Sequence, residues 1–332
     1  MKLDTSTDGA RRQYDANVEF ARSYVSRLGP LVAKSARPRV LVTGFGRFMS
    51  VADNATGQIV SRLTGVPYPV TAAPAPGAID PPGPQLAVGV STLDVPGLGE
   101  VDVCAMILPV FWDLAAILVA RELDALRPSL LILNGVAGPR QALWLELGAA
   151  NQASLRLDGS NLLRPYAEAG ETLVKVVDDD PATKQPSLLS WRAVEDAVRS
   201  ALARLGGERD SGEHLGDIVQ GVGLAGFPRA SNAYLCNDIT WITGWLMRHP
   251  GREVALLQSS DAPGGVRVRI DADLRTVPRV FVHWPSELVD RHHDAAADLM
   301  RAIIIAQLTT TDPPTPGDDR DASEGLRGGA HF

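Results

Sequence analysis

Two residue types in this sequence could form a nucleophile and its base, and both are scarce: two cysteines and six histidines. Cys104 lies mid-strand between Val103 and Ala105 and reads as a small core hydrophobe. Cys236 stands in Ala233-Tyr234-Leu235-Cys236-Asn237-Asp238, just ahead of an apolar helical run. Free N–H groups and the macrodipole at a helix N-terminus favour a thiolate, so this is where a nucleophile would be placed. Position alone leaves Cys236 open between that role and a buried core thiol. Among the histidines, His214 falls in a charged loop, His249 follows Arg248 at a helix end, His292 and His293 are flanked by Arg291 and Asp294, and His331 is in the tail. His283 alone closes an apolar strand, Val280-Phe281-Val282-His283. Active sites of parallel α/β folds lie at the carboxyl ends of strands, so His283 is the candidate base, with a satisfied core histidine as the alternative. An imidazole in that role needs a carboxylate to hold its tautomer. Glu146, in Trp144-Leu145-Glu146-Leu147, is an acid among apolar neighbours. By itself it reads equally as an exposed loop acid.

The elements that must position these residues follow a strand–helix alternation. Apolar, β-branched runs predict strands at 39–43, 101–108, 130–134, 218–222 and 280–283, with helices at 56–64, 112–126, 191–205, 237–248 and 286–307. This order predicts a single-domain α/β/α sandwich, with a mostly parallel twisted sheet and helices on both faces. Tyr14, Val18, Ala21, Tyr24, Val25, Leu28 and Val32 recur at helical spacing, so residues 1–38 read as an N-terminal helical extension that packs on the rest. Residues 39–307 form the catalytic domain and 308–332 a disordered tail. Residues 65–99, with two Pro- and Gly-rich runs, read as one long surface loop. The strings at 253–258 and 266–270, either side of Ala262-Pro263-Gly264-Gly265, predict a hairpin.

The order Glu, Cys, His and its local strings resemble the pyroglutamyl peptidase I (pyrrolidone-carboxylate peptidase) family of cysteine peptidases. Five places carry the resemblance: Thr43-Gly44-Phe45-Gly46-Arg47-Phe48; Leu108-Pro109-Val110; Ala137-Gly138-Pro139-Arg140 with Glu146 and Asn151; Tyr234-Leu235-Cys236-Asn237; and His283-Trp284-Pro285. The resemblance implies a thioester-forming hydrolase that removes N-terminal 5-oxoprolyl residues from peptides, with Cys236 as nucleophile, His283 as base and Glu146 as orienting acid. It further implies that Arg156 lies near the oxyanion and that Phe45, Phe48 and Tyr234 line the acyl slot. Such enzymes are soluble, free of cofactor and metal, and often homo-oligomeric. The sequence departs from the family pattern at four positions. Val136 replaces a glutamine that helps read the lactam ring, Pro139 a glycine, Arg47 a proline and Met49 a glycine. Val136 keeps open a related cysteine amidase with another acyl specificity. A non-catalytic relative that binds a small molecule or a protein is the other alternative.

Composition narrows the remaining classes. The net charge of −7, without a Lys/Arg stripe, argues against nucleic acid or an anionic membrane as partner. Two cysteines cannot build a disulfide scaffold or a four-cysteine zinc site. The polar N-terminal stretch lacks the apolar core of a signal peptide, which predicts a cytoplasmic protein with reduced thiols. A nucleotide site is disfavoured because Gly44-Phe45-Gly46-Arg47-Phe48 has neither the third glycine of a dinucleotide fingerprint nor a phosphate-loop lysine.

Overall fold

The structure, a computed structural model, describes residues 1–137, 142–178, 180, 182–205, 214–226, 233–262 and 264–322. Among the described residues the main sheet has nine strands, two of them the short edge segments Leu188–Leu189 and Thr315–Pro316, and seven form its body: β1 Arg39–Phe45, β2 Ala87–Val95, β3 Gly99–Leu108, β4 Leu130–Ala137, β5 Leu143–Glu146, β6 Val222–Ala225 and β7 Arg279–Pro285. They are ordered β6-β5-β7-β4-β1-β3-β2. Strands β3, β1, β4 and β7 run parallel, and β5 enters antiparallel to β7 and parallel to β6. The parallel strands are covered on both faces, which is why they read as unbroken apolar runs rather than alternating ones.

Helices α1 Asp8–Ser23, α2 Leu28–Val32, α4 Leu114–Leu126 and α7 Leu235–Arg248 cover one face. The other face carries α3 Ala55–Thr64, α5 Trp191–Leu205, α6 Leu215–Ile218 and α8 His293–Thr309. Two large apolar clusters result, one on each side of the sheet, beside a small third one of Ala142, Trp144 and Ala225. Helix α4 is apolar nearly all round because it lies under α1, α2 and α7 rather than at the surface. The hairpin expected near 253–270 forms from antiparallel segments Val254–Leu256 and Val266–Val268. Among the described residues no helix is long and apolar enough to cross a membrane.

Five expectations need correction. The N-terminal pattern does not continue as one helix. It breaks at Tyr24 and resumes at Leu28, leaving Val25 exposed at 73%. The cause is the buried Glu122 on α4. Its carboxylate takes the Tyr24 hydroxyl (2.5 Å), the Ser26 hydroxyl (2.6 Å) and the backbone N–H groups of Arg27 (2.7 Å) and Leu28 (3.2 Å). Those backbone donors are free only if the helix stops, and a buried carboxylate requires such donors.

Residues 87–95, placed in the long loop by sequence, form edge strand β2, paired antiparallel with β3 from Ala87↔Ile107 to Val95↔Gly99. Being half exposed, it lacks the apolar run of the inner strands. Gly97 and Gly99 turn the chain at φ 79° and 84°, a region open to glycine. The strand expected at 218–222 begins later, at Val222, because α6 occupies Leu215–Ile218. Helix α8 starts at His293 rather than 286, after a short turn at Asp290–His292.

The tail expected to be disordered is held as far as residue 322. Thr315–Pro316 pairs with Leu188–Leu189, and the Trp191 indole N–H reaches Thr315 O at 2.8 Å. The segments 206–213 and 323–332 lie outside the described residues.

Candidate active site

The site is built where β4, β7 and β5 lie side by side. Parallel register sets His283 opposite Gly135. On the other side of β7, antiparallel register sets Glu146 opposite Phe281, two residues before His283. Residues two apart on a strand share a face, so Phe281, His283 and Glu146 all project toward α7. His283 Nδ1 lies 2.6 Å from Glu146 Oε1, and both side chains are 3% exposed. A carboxylate only accepts, so Nδ1 donates the proton of this bond, and in the neutral imidazole Nε2 then keeps its lone pair. Glu146 Oε2 has no hydrogen-bond partner among the described residues. The Phe281 ring packs against the imidazole at 4.7 Å between centroids and fixes its tilt. Glu146 therefore sits on a buried strand, not in the exposed loop that its sequence alone allowed.

Cys236 is the second residue of α7, half-buried. Its thiol stands directly over Gly135: a Cβ built on that glycine would fall 2.8 Å from Cys236 Sγ and 2.7 Å from Phe281 Cζ. Because Gly135 is the register partner of His283 and neighbouring strands lie about 4.8 Å apart, thiol and imidazole sit over adjacent strands on one face. Asn237 ties the start of α7 to the chain following Glu146. Its amide donates to Ala150 O (2.8 Å) and Gln152 O (2.7 Å), and its Oδ1 accepts from Ala150 N (2.8 Å).

Two electrostatic effects oppose each other at this thiol. The helix N-terminus favours the thiolate, while burial pushes the Cys236 thiol up to about 12, and the Glu146 charge pushes the same way. Desolvation acts on the whole ionic charge, whereas a helix end offers only partial charges.

The aromatic residues form a second group. Tyr234, which caps α7, meets Phe48 edge-on at 6.1 Å and Trp112 edge-on at 5.3 Å. Its hydroxyl donates to Leu157 O. Phe45 is buried at 4% in the same apolar cluster. Arg156 is exposed, and its carbonyl accepts the Trp112 indole N–H at 3.0 Å. Its charge is near enough to Tyr234 to counter the rise in that phenol's pKa caused by burial, Asp158 and Cys236. Val136, half-buried opposite Trp284, packs with the apolar cluster of the opposite face, so the structure does not bring it to these rings. Asn151, part of the resemblance, is a brace: its side chain joins Val177 N (2.9 Å) and Val177 O (3.0 Å). Residues 138–141, with the rest of that motif, lie outside the described residues.

Sequence reasoning passed over four contributors. Gly135 gives the thiol its space, and only its place before Val136 on a core strand hinted at it. Asn237 had the signal of a polar residue opening an apolar helix. Asp238 accepts the Asp113 N–H (3.0 Å), and Asp113 in turn accepts Leu257 N (2.6 Å). Burial drives both carboxyls upward, and the Asp113 charge adds to the rise at Asp238. A cavity of about 690 Å³ beside Trp245, His249 and Arg252 opens elsewhere and is lined by none of Cys236, His283, Glu146, Arg156 or the three aromatic slot residues. Among the described residues no group of three or more His, Cys, Asp or Glu side chains is arranged to hold a metal ion.

No protein-family model matches this sequence, and no curated protein sequence does. Solved structures do match. Pyroglutamyl peptidase I of Bacillus amyloliquefaciens superposes with a TM-score of 0.51 at 14% identity, over 83% of this chain and 100% of that one. A second structure of that enzyme also gives a TM-score of 0.51 at 14% identity, over 83% of this chain and 97% of its own. The pyrrolidone carboxyl peptidase of Thermococcus litoralis gives a TM-score of 0.49 at 17% identity, over 86% and 98%.

The fold is that of pyroglutamyl peptidase I. The expected mixed α/β architecture, with its mostly parallel sheet and helices on both faces, is thereby established.

Proposed function

We propose that this chain is a cysteine-nucleophile amide hydrolase that removes an N-terminal pyroglutamyl residue from peptides through a thioester. The observation that carries the reading is the buried His283–Glu146 pair at 2.6 Å, with the Cys236 thiol over the adjacent strand. In this reading His283 Nε2 takes the Sγ proton as sulfur attacks the amide carbon, forming the S–C bond and an oxyanion. The Cys236 backbone N–H, in the first turn of α7, and Arg156, swung in from its exposed position, stabilise that oxyanion. The C–N bond then breaks, and the proton passes from His283 to the leaving amine. A water, deprotonated by the same imidazole, cleaves the thioester and restores the thiol. Glu146 holds the tautomer throughout and offsets the imidazolium charge. Phe45, Phe48 and Tyr234 form an uncharged slot suited to a lactam.

A thiol lifted to about 12 rests neutral, so proton removal accompanies substrate binding instead of preceding it. The test is hydrolysis of a pyroglutamyl-linked fluorophore under reducing conditions by wild type, Cys236→Ala and His283→Ala, beside the pH profile of iodoacetamide alkylation. Expected are turnover that both substitutions abolish and an alkylation rate still climbing above pH 9. Alkylation that saturates near neutral pH would refute the resting neutral thiol. Absent turnover with a selectively alkylated Cys236 would sink pyroglutamyl specificity. The position of Val136, an apolar side chain packed away from the rings, favours a second reading in that event: a cysteine amidase for another small neutral acyl group.

A further inference from the structure

Arg47 is among the most deeply buried charged residues of this chain, at 2%, and it immediately precedes Phe48. A guanidinium beside an acyl slot would ordinarily point to a carboxylate-bearing ligand. Its donors are already engaged within the protein. Nη2 holds both oxygens of Asp80 at 2.5 Å, Nε reaches Thr71 Oγ1 at 3.1 Å and Nη1 reaches Met49 O at 3.0 Å. Asp80 is 4% exposed and is itself gripped from behind. Gln85 Nε2 donates to Asp80 Oδ1 at 2.8 Å, while Gln13 on α1 accepts Asp80 N at 2.7 Å and donates to Asp80 O at 2.9 Å. One ion pair thus joins the N-terminal helix, the 65–86 segment and the turn that carries Phe48.

That turn needs support. Phe48 and Val51 exchange backbone hydrogen bonds at 3.1 and 2.9 Å around Met49, whose φ of 51° is a left-handed conformation unfavourable for a residue with a side chain. The Met49 carbonyl is the one that Arg47 holds. Phe48 then meets Tyr234, two residues before Cys236, edge-on.

We infer that Arg47 and Asp80, supported by Gln13, are positioning residues that hold the Phe48 wall of the acyl slot and leave the slot uncharged, selecting a neutral acyl group over a carboxylate-bearing one. The inference rests on the proposed acyl slot, but the brace itself can be read without any turnover. The buried pair is worth having only because both partners are satisfied; removing one strands the other.

The test compares full-length Arg47→Met and Gln13→Ala with wild type, by hydrogen exchange of the 45–51 and 101–108 peptides and by kinetics on the pyroglutamyl fluorophore. Expected is exchange about 10-fold faster in 45–51 for Arg47→Met and a few-fold faster for Gln13→Ala, with 101–108 unchanged. KM should rise about 10-fold in Arg47→Met while kcat changes less than about 3-fold, as for lost binding rather than lost chemistry. Should Arg47→Met also open 101–108, Gln13→Ala decides alone. Unchanged exchange at 45–51 in a folded variant overturns the brace, and so does a fall in kcat with KM constant. A wild type without turnover sinks the pyroglutamyl reading alone, and the exchange result still decides the brace.

Discussion

The two halves of the candidate site are held by different means. His283 and Glu146 lie on β7 and β5, inside a sheet covered on both faces, and their mutual position follows from strand register. Phe48, Tyr234 and Arg156 lie on loops or at a helix cap, and single polar contacts hold that region: the buried Arg47–Asp80 pair beside Phe48, and the exposed bond from Tyr234 to Leu157 O. Register is all-or-none, since a one-residue slip turns every side chain to the other face. Loop contacts can be lost one at a time. The sheet-borne half should therefore govern chemistry, and the loop-borne half recognition.

The largest effect should come from the sheet. Glu146→Gln keeps a hydrogen-bond acceptor but removes the charge, so kcat/KM should fall about 10²- to 10³-fold. The same change should shift iodoacetamide alkylation of Cys236 to lower pH, because the Glu146 charge helps hold the thiol protonated. A large kinetic loss with no shift in alkylation would separate orientation from electrostatics. Gly135→Ala comes next. Its Cβ would press on both Cys236 Sγ and Phe281, and a displaced thiol should cost about 10² in kcat. Near-normal turnover in that variant would mean the nucleophile does not need its place over Gly135, which would collapse the distinction between the halves.

The smallest effect belongs to the loop that carries Arg156. Asp158 is fully buried there; burial lifts its carboxyl to about 7 despite bonds from Ser160 and Trp112. Its folded pKa lies above the unfolded value of about 3.9, so the folded state binds the extra proton. Its stabilising contribution is complete below that value and is lost as pH rises toward 7. Asp158→Asn should remove this decline, on the order of 1–3 kcal/mol between pH 4 and 7, in denaturant titrations. Parallel curves for the two proteins would show that Asp158 ionises normally.

Strands β1, β3, β4 and β7 were legible because doubly covered strands are continuously apolar. Edge strand β2 was not, because half-exposed residues carry no such run. Strand β5 was hidden for another reason: it has only four residues, and one is the acid itself. Cys236 and His283 could be singled out because few thiols and imidazoles compete with them. Gly135 and Asn237 were missed because their work is spatial: one leaves a space, and the other links segments 85–87 residues apart in sequence.

The sequence by itself determined the element types, the layered α/β class and the three side chains worth watching, because local periodicity and residue chemistry carry that information. Only the tertiary structure decided that Glu146 faces His283 across 137 residues of chain, since that requires β5 to run antiparallel beside β7. It also set the burial that pushes the Cys236 thiol upward. A helix N-terminus can be read from sequence, but the depth at which it is buried, and the carboxylate set nearby, cannot.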